Sequence, residues 1–142
     1  MTFKVVEGNV KAGVPISKAI IAGDYIYVSG EVAFDAAGEI IKGGIEPETK
    51  QVLDSISNTL KNANSSLEEV IKTTVWLKNV SDFGQFNKIY AQYFPGKKPA
   101  RSTVRADLMI DAKIEIEAIA YSPKKIFKIF LNNFVINLDL PV

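Results

Sequence analysis

The segment that most restricts the possible folds is IEIEAIAY, residues 114–121. Its opening alternates isoleucine with glutamate, and a period of two belongs to a strand with one face in a core. Ile114, Ile116 and Ala118 take the core face, and Glu115 and Glu117 take the other. Something must cover the first face, and two stretches have the helical period to do it. Across Pro47–Asn62, Val52, Leu53, Ile56 and Leu60 recur at spacings of three and four. Pro47 suits a first turn and NANSS ends the segment. A second helix is predicted after Ser81 as N-cap, with Phe83, Phe86, Tyr90 and Tyr93 on its buried side and Pro95-Gly96 as its stop.

The remaining patterned segments read as strands. TFKVVEG is a short first strand, and SKAIIAGDYIYVSGEVAF is a hairpin turning at Ala22-Gly23-Asp24. DAAGEIIKGG is a loop punctuated by Gly38, Gly43 and Gly44. Val70–Leu77 is a strand whose core face would carry Ile71, Thr73, Val75 and Leu77. Ser102–Leu108 and Ala112–Tyr121 close the pattern as two strands joined by a short turn. The order ββ(β)αβαββ predicts an α+β fold, a two-layer mixed β-sheet with two helices packed on one face.

That leaves the other sheet face. Tyr25 and Tyr27 lie opposite Ile26 and Val28, and Trp76 lies opposite Val75 and Leu77, so the aromatics point away from the helices. A monomer would expose them as an apolar patch, which a second subunit would bury. Residues 1–121 are expected to form a single domain. Residues 122–142 form an apolar C-terminal extension carrying Phe127, Phe130, Leu131, Phe134, Ile136, Leu138 and Leu140. Asn132-Asn133 suggests a turn in it and FVINLDL a strand, and the extension is expected to pack on the domain or across an interface rather than on a membrane.

Composition narrows the chemistry. The 142 residues include no cysteine and no histidine. Disulfides, thiolate catalysis, histidine general bases and the commonest metal ligands are thereby removed. With a net charge of +1 and KKPAR as the one local basic cluster, nothing draws the chain to nucleic acid. The N-terminus lacks the features of a signal or transit peptide, and no stretch has 18 uninterrupted apolar residues, so a soluble cytoplasmic protein is expected.

Arg101 opens a strand after Pro99-Ala100, where a guanidinium can offer two parallel donors to a carboxylate. A surface or ion-paired arginine is the plain alternative. An acidic strand is expected beside it. Glu115 and Glu117 read either as a polar sheet face or, if that face is buried between subunits, as carboxylates that must find a partner or stay protonated. Ser29-Gly30 allows close approach to the backbone. Asn87 and Thr103 are polar residues near the same place, each equally readable as structural.

The stretches YVSGEVAFDAAGEII, ETKQVLDSISNTLKNANSSLEEVIKTTVWLKNVSDFGQFNKIYAQYF, PARSTV and IEIEAIA, in this order and spacing, resemble the reactive intermediate deaminase family, also called RidA, YjgF or L-PSP. The resemblance runs from about Pro15 to Tyr121. It implies a chorismate-mutase-like α+β domain assembled as a homotrimer, with pockets between subunits and no cofactor or metal. It implies hydrolysis of enamine and imine intermediates, such as 2-aminoacrylate and 2-iminobutanoate, to 2-keto acids and ammonia. Arg101 would clamp the substrate carboxylate and Glu115 would position or activate water. Ser29, Gly30, Asn87 and Thr103 would line the pocket. Two positions depart from the family pattern. Many members carry PYSQA, with a tyrosine in the pocket, where this chain has PISKA and therefore Ile16; and Glu31 stands in SGEV where SGQI is usual. The rival expectations are an endoribonuclease or translation inhibitor, labels that family members have carried, and a non-catalytic small-molecule-binding trimer.

Overall fold

The computed structural model describes residues 3–10, 13–123, 126–131 and 134–139, the last two as strand backbone. Six strands form one sheet: β1 (Phe3–Val6), β2 (Ala19–Ala22), β3 (Tyr25–Glu31), β4 (Val70–Leu77), β5 (Ala100–Arg105) and β6 (Ile114–Tyr121), in the order β1-β2-β3-β6-β4-β5. β5 runs parallel to β4 and the other neighbours are antiparallel. Helices α1 (Ile45–Asn62) and α2 (Phe83–Tyr93) pack on one face. In the C-terminal extension, β7 (Ile126–Leu131) and β8 (Phe134–Asp139) pair antiparallel as a second sheet, so the strand expected from FVINLDL is present. The turn expected at Asn132-Asn133 lies outside the described residues. No helix among the described residues is long and apolar enough to cross a membrane.

The core joins the two periods read in the sequence. Val52, Leu53, Ile56 and Leu60 of α1 are buried against the layer that includes Ile26, Val28, Val75, Ile114, Ile116 and Ala118. Each buried valine, leucine or isoleucine among them stabilises the fold by about 1.5–3 kcal/mol. Gly44 precedes α1 with φ 95°, a conformation that a side chain disfavours. Glu46 and Glu48 then sit in the first turn, where the helix dipole favours them. At the other end Asn64 takes φ 57° and the Ser65 N–H bonds the Leu60 carbonyl at 2.8 Å, which terminates the helix.

Four local expectations change. Ile71 is not a core residue: the register slips between Val70 and Lys72, so Val70 is buried and Ile71 is 45% exposed. The extra residue of the bulge reverses the alternation before Thr73. Ser81 is not the cap of α2; it lies in a 3-10 turn, Val80–Asp82, and Asp82 takes the cap position. Phe83, at the first position of α2, is 42% exposed, while the buried stripe runs through Phe86, Ile89 and Tyr90 and Tyr93 is half-buried. Finally, β5 and β6 are not neighbours. β4 lies between them, because a parallel partner of β4 must sit on its free edge once β6 occupies the other.

The face without helices is open in the single chain. Phe3, Val5, Tyr25, Tyr27 and Tyr121 are exposed on it, and the Tyr25 ring lies 5.3 Å from that of Tyr121 and 6.4 Å from that of Tyr27. Trp76 and Glu115 pair across β4 and β6 on the same side.

Candidate functional site

Arg101 pairs in parallel register with Thr73, a buried residue of the helix-covered face, so its side chain emerges beneath α2. There it is held by rings and one amide. The guanidinium carbon lies 4.8 Å from the Tyr90 ring centre, 5.1 Å from Phe86 and 5.9 Å from Phe83. Nη2 donates to Asn87 Oδ1 at 2.8 Å. Among the described residues no carboxylate lies within ion-pair distance of it. Aromatic faces attract a cation but leave its remaining N–H donors unpaired, and these are the groups that bind carboxylates best. A cavity of about 400 Å³ opens beside it, lined by Asn87, Tyr90, Phe94, Lys98 and Pro99 among others.

Tyr90 and Thr103 complete this corner. The Tyr90 hydroxyl is 2.7 Å from Thr73 Oγ1. Burial pushes its pKa up, against the lowering effects of Thr73 and of the Arg101 charge, so it stays a neutral phenol. Thr103 lies two residues beyond Arg101 and shares its face of β5. Its Oγ1 is buried and has no hydrogen-bond partner among the described residues. Buried hydroxyls are nearly always paired, so a lone one on the same strand face as Arg101 has the capacity to bind a further polar group.

Glu115 lies elsewhere. It alternates with the fully buried Ile114 and Ile116 and so projects from the open face, beside Trp76. Its carboxylate rests against the backbone of Gly30, where an added Cβ would collide with Oε1. That contact explains the glycine: β3 bulges between Val28 and Glu31, and a side chain at 30 would expel the acid. The pKa of Glu115 is raised, first by burial, then by the charges of Glu117 and Glu31. Ser29 holds the bulge in place: its N–H donates to the Lys18 carbonyl at 3.1 Å and its hydroxyl to the Ser17 carbonyl at 2.7 Å. Ile16 is 52% exposed at the end of the same segment.

The sequence-derived residues therefore form two groups. Arg101 and Asn87 meet under α2, with Thr103 further along the same face of β5, whereas Glu115, Gly30 and Ser29 meet at the β3 bulge and Ile16 precedes Ser17, whose carbonyl binds Ser29. Arg101 and Glu115 project from opposite faces of one sheet, with β4 between their strands. Two participants were not anticipated as such. Tyr90 read as a core aromatic, and its role against Arg101 needed the position of β5. Glu31 read as a departure from a motif, but it is a buried carboxylate paired with Lys18 at 2.6 Å.

The sequence pattern of the family described as Endoribonuclease L-PSP matches residues 7–122. The chain belongs to this family, the RidA/YjgF/L-PSP proteins. A RutC family protein of Pyrococcus horikoshii is 48% identical over 109 residues, covering 75% of this chain and 86% of that protein. The 2-iminobutanoate/2-iminopropanoate deaminase of Rattus norvegicus is 42% identical over 106 residues, covering 73% of this chain and 77% of that protein. Among solved structures, the YjgF gene product of E. coli superposes with a TM-score of 0.78 at 30% identity, covering 83% of this chain and 98% of that one. The shared fold is the two helices on a mixed six-stranded sheet described above.

Proposed function

We propose that the protein hydrolyses small 2-imino acids, and their enamine tautomers, to 2-keto acids and ammonia. We further propose that it does so as a homotrimer in the cytoplasm, with each site built from the Arg101 corner of one subunit and the Glu115 corner of another. The observation that carries the reading is Arg101: a half-buried guanidinium with three rings, one amide and no carboxylate partner among the described residues. Similarity to proteins named 2-iminobutanoate/2-iminopropanoate deaminase supports the substrate class. The exposed tyrosines of the open face support an assembly that covers it.

In this mechanism Arg101 binds the substrate carboxylate through two N–H donors, and Thr103 Oγ1 supplies a further hydrogen bond to the bound acid. Glu115 accepts a proton from water as its oxygen adds to the imine carbon, giving a carbinolamine. That proton passes to the nitrogen; Glu115 then takes the hydroxyl proton of the carbinolamine and delivers it to the nitrogen as the C–N bond breaks, so that ammonia leaves while the oxygen stays as the ketone. Positioning and electrostatics carry the rate, since an imine carbon is already electrophilic. A carboxyl with a raised pKa suits a proton acceptor that must also return the proton.

The test couples purified protein to a dehydratase that releases 2-aminoacrylate from serine, and follows ammonia or pyruvate. Release faster than the spontaneous rate, saturating with substrate and blocked by a 2-keto acid, is expected. A rate equal to that of buffer at micromolar enzyme would sink the proposal.

A further inference from the structure

Behind the Ser29–Gly30 bulge lies a buried charged cluster that the reaction above does not use. Glu31 is 6% exposed, yet it carries a carboxylate. Its Oε2 accepts from Lys18 Nζ at 2.6 Å and from Ser55 Oγ of α1 at 2.8 Å, while Lys18 Nζ lies 3.4 Å from Ser55 Oγ. Lys18 also grips the bulge through its backbone, whose carbonyl accepts the Ser29 N–H at 3.1 Å. Its stem fills the space beside Gly8, where an added Cβ would lie 2.9 Å from Lys18 Cγ. One ion pair thus ties three pieces of chain together: the segment carrying Ile16, the β3 bulge and helix α1. The bulge is the wall against which the Glu115 carboxylate rests.

A buried ion pair is a costly way to gain stability, since an apolar pair of similar volume often does as well. What it provides is directional: two charges and a hydroxyl fix the chain on either side of a bulge that a hydrophobic contact would leave free to slide. We propose that Lys18, Glu31 and Ser55 form a positioning unit that sets where the Ser29–Gly30 bulge presses on Glu115, and so sets the geometry of that carboxylate. The proposal rests on the reading of Glu115 as the acid–base group. It concerns positioning only, for none of the three residues is asked to touch substrate.

The test uses Lys18→Gln, Glu31→Gln and the double variant in the full chain, where two amides can bond to each other with no charge left over. It has two readouts. The first is the Glu115 carboxyl titration followed by NMR, which is informative whether or not the protein is a deaminase. The charges that act on Glu115 are those of Glu117 on its own strand and of Glu31 on β3; Lys72 of β4 is turned to Ser102 and the Thr73 carbonyl. Glu31→Gln removes an anion and is expected to lower the Glu115 midpoint. Lys18→Gln removes the balancing cation and is expected to raise it, and the double variant returns near the wild type. Opposite shifts cannot come from general loosening. The second readout is turnover: each single variant is expected to lose roughly ten- to a hundredfold in kcat with KM little changed, as for a misplaced reacting group, and the double variant to regain most of it.

Unmoved Glu115 titration in both single variants overturns the proposal. So do single variants that melt earlier but turn over normally while folded, or a double variant no better than either single. If a single variant does not fold, Ser55→Ala removes one hydrogen bond to Glu31 and reads the same two quantities. An inactive wild type would reject the deaminase reading and with it the catalytic meaning of the unit, whereas an active wild type whose single variants keep their turnover would reject the positioning unit alone.

Discussion

The two faces of the sheet hold opposite halves of one chemistry. Under α2, a cation sits among rings with no anion beside it among the described residues. On the open face, an anion sits with two more carboxylates among its electrostatic neighbours, and its pKa rises accordingly. Each half is unbalanced alone. Neither can reach the other through β4; in the proposed trimer the Arg101 edge of one copy meets the open face of the next. In that proposed assembly, burial of the tyrosine face and completion of the site would be the same event.

The largest effect should come from the cationic half. Two charge-assisted bonds at about 1.5–3 kcal/mol each mean that Arg101→Ala loses at least about a hundredfold in kcat/KM. Arg101→Lys should recover little, because an ammonium lacks the planar fork. Melting temperature and oligomeric state should stay close to wild type in both; collapse of the fold with normal turnover in the survivors would make the arginine structural.

Glu115→Gln should bind a 2-keto acid and turn over poorly, while melting higher than wild type at neutral pH. The sign follows from the raised pKa. A carboxyl whose folded pKa lies above its unfolded value stabilises fully below the unfolded pKa, and that contribution is lost as pH rises through the folded value. At neutral pH the ionised group is therefore a burden that the amide removes. The wild-type activity should correspondingly fall on the acid side with a midpoint above the ordinary glutamate range. A lower melting temperature for Glu115→Gln at neutral pH would contradict the burial of this acid.

Complementation tests the comparison directly. Arg101→Ala and Glu115→Gln, each inactive, should regain part of the wild-type rate when mixed, unfolded and refolded together, because some sites then draw both intact halves from different chains. No recovery in assemblies shown by mass spectrometry to be mixed would place both groups on one subunit or reject the shared site.

A smaller effect is expected at Thr103. Thr103→Val removes a buried hydroxyl with no partner among the described residues, so the melting temperature should hold or rise slightly. KM should increase by roughly the severalfold that one neutral hydrogen bond of about 1 kcal/mol represents. An unchanged KM would remove Thr103 from the site. The smallest expected effect is none: incubation with a chelator should leave the rate unaltered, and a large reversible loss would show that a metal takes part.

Much of this was legible in the chain. Alternation in IEIEAIAY identified the core residues of β6, and the spacing of Val52, Leu53, Ile56 and Leu60 identified the buried face of α1. These patterns are local consequences of 2.0- and 3.6-residue periods, which the sequence states outright. The motifs around Ser29-Gly30, Arg101 and Glu115 carried the family. Tertiary structure decided the rest. Alternation says which residues share a face of their own strand, but not which strand lies alongside; the expected Arg101–Glu115 adjacency failed because β4 occupies the place between them. The bulge at Val70–Lys72 breaks the period without any mark in the sequence and exposes Ile71, while Gly30 marks the one at Val28–Glu31 without saying that Glu115 would lie against it. Pairing partners and bulges are set by contacts between residues far apart in the chain, and it is those contacts that put the two charges on opposite sides of the sheet.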